Sequence, residues 1–144
     1  MLIWITAGAC LAALVARFVV QQARPIRSAA IGLAVVASIY AALGLASASP
    51  SWIALELGGV ALFGGIAWFG WRHSAWWLVA GWVGHVAWDV GLHLERSQPV
   101  VGPWYPQLCI GFDLVVAGLV LAIALTTAGT QPRSRRRVDP HARS

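Results

Sequence analysis

Apolar residues run along this chain in five blocks of about twenty, the length that carries a helix across a bilayer. They occupy about residues 2–20, 29–48, 52–71, 75–94 and 105–127. Polar or helix-breaking residues separate them. Gln21-Gln22-Ala23-Arg24-Pro25-Ile26-Arg27 ends the first block, Ser49-Pro50-Ser51 the second and Arg72-His73-Ser74 the third. A loop from Glu95 to Trp104 precedes the fifth, where Pro106 suits the first helical turn because its missing N–H costs nothing there. The pattern predicts an all-α, polytopic membrane bundle of five transmembrane helices over residues 1–128. A basic, disordered tail is expected over 129–144.

Composition agrees. Hydrophobic residues make up 59% of the chain and charged residues 10%, against roughly 25% charge in a soluble domain. Arginine placement predicts orientation. Arg24, Arg27, Arg72 and the tail fall on one side and only Arg96 on the other, so the positive-inside rule puts the N-terminus outside and the C-terminus in the cytoplasm. Trp68, Trp71, Trp76 and Trp77 would form an inner aromatic belt, and Trp4, Trp52, Trp104 and Tyr105 an outer one. The net charge of +5 does not indicate nucleic acid, because half of the arginines lie in the tail, where they act as a topogenic signal touching anionic lipid. Cys10 and Cys109 lack metal-ligand spacing and are not expected to pair, and no basic n-region precedes Cys10, so no cleaved signal is expected. Small residues four apart (Ala54/Gly58, Ala61/Gly65, Ala80/Gly84, Ala87/Gly91) predict close packing of spans three and four.

Against this background the ionisable residues stand out, since charge inside a membrane helix is costly and faces the bundle interior. His85, Asp89 and His93 repeat every four residues and share one face of span four. From the outer ends of their spans, Glu56 lies roughly 6 Å deep, Asp89 roughly 8 Å, Asp113 roughly 12 Å and His85 roughly 14 Å. Three helices thus bring acids to similar depth. Trp82 lines the same face as His85, Tyr105 and Cys109 extend a stripe to Asp113, and Tyr40 reaches similar depth on span two.

Three readings of this cluster remain open. His85, Asp89, His93 and Asp113 are candidate ligands of a divalent metal such as zinc, although His85 and His93 are about 12 Å apart along the axis, too far to share one ion comfortably. Alternatively the groups form a metal-free network of hydrogen bonds and shared protons, or a satisfied polar cluster that joins helices.

The runs Trp76-Trp77…Gly81-Trp82…His85…Trp88-Asp89…His93 and Trp104-Tyr105-Pro106…Cys109…Gly111-Phe112-Asp113-Leu114 resemble the signatures of a family of small bacterial integral membrane proteins with no assigned activity. Glu56, Gly58-Gly59 and Phe63-Gly64 extend the resemblance over about residues 50–120. It implies a multi-pass protein of the bacterial inner membrane and no mechanism. By architecture alone, the acids also resemble those of the emopamil-binding and sterol-isomerase superfamily, whose membrane helices place acids in a lipid-open cavity.

Three functions follow. An enzyme acting on a lipid- or isoprenoid-like molecule would use Asp89 and Asp113 as acid and base, His85 as relay or ligand, and Glu56 as a second acid, with Trp82, Tyr40, Tyr105 and Cys109 lining the pocket. A binding or transport protein would hold a cation or proton there; the lack of an internal repeat argues against a monomeric carrier, though not against a homo-oligomer. A structural membrane subunit would use the groups for helix pairing alone. Membrane lipids are the expected surroundings in all three cases.

Overall fold

The computed structural model describes residues 2–45, 49–94 and 102–129. These form five helices in chain order: α1 (Leu2–Gln21), α2 (Pro25–Gly44), α3 (Pro50–Arg72), α4 (Ala75–Trp88), continued by a π-helical segment (Asp89–Leu94), and α5 (Trp104–Gly129). No strand occurs among the described residues, and the chain is an all-α bundle. Helices satisfy every backbone group internally, which is what lipid demands of a spanning segment. Helices α1, α2, α3 and α5 are long and apolar enough to cross a membrane. The fourth path, α4 with its π segment, is a continuous rod from Ala75 to Leu94 whose length is divided between two helical geometries. The tail from residue 130, the Glu95–Arg96 pair and the last residues of the expected second span lie outside the described residues.

Helix ends follow local chemistry. Pro25 occupies the first turn of α2, so this helix begins four residues before the expected span and takes Arg27 into its first turns. Proline is pre-organised for that position. Ser49 caps α3, its hydroxyl accepting from the Trp52 N–H, with Pro50 next in the chain. Ser74 caps α4 in the same way through the Trp76 N–H. The π segment carries i→i+5 hydrogen bonds, a rare geometry often found at functional sites.

The core forms where α2, α4 and α5 meet. Leu33, Leu78, Trp82 and Val120 are all but fully buried, with Ala12, Ala29, Ala37, Phe63 and Ala67 packed around them. Helix α1 lies along α5, α2 along α3, and α4 against both α3 and α5. The closest backbone approach is between α1 and α5. A Cβ on Gly8 would strike the Leu108 carbonyl, and one on Gly111 the Ile5 carbonyl. The small-residue pairs expected to draw α3 and α4 together do not mark the tightest contacts, since Gly58, Gly65 and Gly91 face open space. Those two helices meet instead at Gly70 under Leu78, at Gly81 under Ile66 and at Gly59 under Trp88.

Two further aromatic groups lie at the two ends. Trp4 packs on Trp104, and Trp104 on Tyr105, at one end. Trp68, Phe69, His73 and Trp77 cluster at the other, where the guanidiniums of Arg27 and Arg72 both lie over Trp71.

Candidate functional site

The buried charged and imidazole groups of the described residues are Glu56, His85, Asp89, His93 and Asp113. All five share one half of the bundle, and none is more than 4% exposed. They come from α3, α4, the π segment and α5, so their meeting is a product of packing as well as depth.

The centre is His85. Its Nδ1 lies 2.7 Å from Asp113 Oδ2, a short hydrogen bond tying α4 to α5. The same nitrogen is 3.8 Å from Asp89 Oδ2 one turn further along its own helix. Phe63 of α3 meets the imidazole edge to face at 4.9 Å and holds its plane. One ligand atom from each of His85, Asp89 and Asp113 lies within 4.8 Å of the others. Both Asp89 oxygens and Asp113 Oδ1 are buried without a hydrogen-bond partner. An unpartnered buried polar atom is costly. Two acids beside one imidazole concentrate that cost at a single point.

A second group lies nearer the end of the bundle. His93 Nε2 approaches Glu56 Oε1 at 3.4 Å. The His93 ring stacks on Tyr40 with centroids 3.6 Å apart and planes 4° from parallel, and Trp52 meets it edge to face. Tyr40 in turn meets Tyr105 edge to face. The Cys109 thiol sits beside the Tyr40 and Tyr105 hydroxyls, and the Tyr40 hydroxyl beside Asp89. Tyr40 therefore touches both groups.

The sequence-derived candidates are thus divided. His85, Asp89 and Asp113 come together, consistent with the similar depths of these residues on spans four and five. His93, considered as a ligand with them, instead pairs with Glu56 of α3 and Tyr40 of α2. Tyr40, Tyr105 and Cys109 line the region between the groups. Trp82 is buried against Gly32 and Phe112, and faces an apolar cavity bounded by Val15, Ala29, Val116 and Leu119 rather than the acids.

Three residues that the sequence reading left outside the candidate site belong to it. Phe63 orients His85; Trp88 covers Gly59 and approaches the Glu56 carboxyl; Trp52 lies beside both Glu56 and His93. Trp52 precedes Glu56 by four residues and therefore shares its face, a signal obscured because its place at the start of a span made it read as an interface aromatic.

The chain matches no family model, no curated protein and no solved structure. One imidazole nitrogen and two carboxylates form a donor set suited to zinc or another first-row divalent ion. A divalent cation would offset the charge of both acids and engage the oxygens that lack partners. With no cation bound, shared protons would have to do the same.

Proposed function

We propose that this is a multi-pass protein of the bacterial inner membrane whose His85–Asp89–Asp113 centre binds a divalent cation such as zinc. The observation that carries this reading is the convergence of three ligand atoms within 4.8 Å, with both Asp89 oxygens buried and outside hydrogen-bond distance of any partner. The residues fit the ion, since Asp89 and Asp113 supply charge and His85 a nitrogen donor. A bound ion would supply Lewis acidity and activate a water. The Tyr40 hydroxyl beside Asp89 would orient that ligand, as partners outside a coordination sphere commonly do.

Within this reading the protein acts on a lipid- or isoprenoid-like molecule entering from the outer leaflet, with Asp89 and Asp113 holding the ion and Glu56 as the acid; in a metal-free site Asp89 and Asp113 would themselves serve as acid and base. A transport role is less well supported, because the opposite half of the core is built from Leu33, Ala67, Leu78 and Val120. Placement of Arg27 and Arg72 at one end supports an outside N-terminus and cytoplasmic C-terminus. The motifs around His85 and Asp113 support membership in the family of small bacterial membrane proteins they resemble.

A second reading is favoured by a specific observation. The cavity between α2 and α3 and the cavity beside Trp82 are lined without Asp89 or Asp113, and the His85–Asp113 bond joins two helices directly. The cluster would then hold the bundle together.

Metal content of the detergent-purified protein by mass spectrometry separates the two. Near-stoichiometric zinc or iron in the parent, lost in Asp89→Asn and His85→Ala, is expected from the metal reading. A folded, metal-free parent after expression with added zinc removes it and leaves the helix-joining network.

A further inference from the structure

The end of the bundle away from the polar centre carries an arrangement of its own. On α2, Arg27, Ala30, Ile31 and Ala34 follow one face; on α3, Gly64, Ala67, Trp68 and Trp71 do the same. Small residues at Ala30, Ala34, Gly64 and Ala67 leave a furrow of ≈ 250 Å³ between the helices. It runs along about 10 Å of helix axis from Arg27 to Ala34. Its walls are apolar, and Trp68 remains 57% exposed.

Charge marks one mouth of this furrow. The Arg27 and Arg72 guanidiniums lie 5.5 and 5.8 Å from the centroid of the same Trp71 ring. Neither has an ion-pair partner among the described residues, whose three acids are buried in the other half of the bundle. Arg27 is separated from Tyr40, beside the polar centre, by about 20 Å of helix. Both guanidiniums are thus held at the same end of the bundle, where an anion would be attracted by each of them. Trp71 anchors both by cation–π contact and positions them for such a partner.

We propose that the furrow holds one anionic glycerophospholipid, with its phosphate bridging Arg27 and Arg72 and one acyl chain lying between α2 and α3. The charge favours an anionic head group, and the apolar length below it favours a chain. A snorkelling arginine elsewhere would supply only the first of these. This site is independent of the polar centre and of any metal bound there.

The test is native mass spectrometry of the full chain released from detergent, with phosphatidylglycerol or phosphatidylcholine added at matched concentrations. The parent is expected to carry one phosphatidylglycerol, bound at least tenfold more tightly than phosphatidylcholine. R27Q/R72Q should abolish the preference. G64F, which fills the furrow at a glycine with open space beside it, should weaken phosphatidylglycerol binding about tenfold with both arginines in place. If the double variant does not fold, G64F decides alone. Equal binding of the two lipids, parent-level binding by G64F, or a dimer of the chain in place of the lipid adduct would overturn the proposal.

Discussion

Asp113 and Tyr40 show how single atoms can separate stability from function. Asp113 accepts or shares a proton with His85 through one short bond deep in the bundle. Asp113→Leu leaves the imidazole without that partner and is expected to cost about 1–3 kcal/mol. Asp113→Asn keeps an acceptor oxygen at the same place and should cost less. Thermal unfolding in detergent reads the order, and an equal loss in both variants would mean that the bond contributes nothing specific. Tyr40→Phe keeps the ring stacked on His93 and removes only the hydroxyl beside Asp89. Under the metal reading it should weaken metal affinity about 10–100-fold while leaving the unfolding temperature of metal-free protein unchanged. Unaltered affinity would mean that the hydroxyl does not orient Asp89.

Helix α5 shows how an element can be specified by what one residue lacks. Gly111 lets α1 lie directly on α5, and a methyl group there meets the Ile5 carbonyl. Backbone cannot retreat as a flexible side chain can, so Gly111→Ala is expected to cost about 1–3 kcal/mol. Gly118→Ala on the same helix faces open space and should be neutral or slightly stabilising. Comparable losses in both would attribute the effect to helix propensity instead of the α1–α5 contact. The π segment is the element that sequence did not disclose. Its wider turn advances each residue by a smaller angle than an α-helix does, which keeps His93 facing inward toward α2 and α3. Nothing in Asp89-Val90-Gly91-Leu92-His93-Leu94 distinguishes that geometry from an α-helix, because periodicity places a residue on a face without reporting which carbonyl its N–H chooses.

At the scale of the molecule, a cation that binds only the folded bundle must also stabilise it. At a free zinc concentration one hundred times the dissociation constant, the gain is about 2.7 kcal/mol. Zinc is therefore expected to raise the unfolding temperature of the parent and not of Asp89→Asn; parallel shifts in both would point to binding elsewhere. Topology can be checked with reporters fused after Ser144. A fusion that fluoresces in the cytoplasm, beside an inactive periplasmic phosphatase fusion, is the expected pair, and the reverse would invert the bundle.

Much of this organisation follows from the amino-acid order alone. Lipid leaves the backbone no partners but its own, so apolar blocks of this length become helices, and a constant rise per residue sets the depth of Glu56 and Asp113, which lie on α-helices throughout. Ser49, Ser74 and the prolines place helix ends through bonds only a few residues long. Which groups meet was a different matter. Depth says nothing of the angle at which one helix presents its stripe to another, and that angle depends on contacts such as Gly8 and Gly111 against backbone and Trp88 over Gly59. Only the packed bundle assigned Asp113 to His85, Glu56 to His93 and Tyr40 to the space between them.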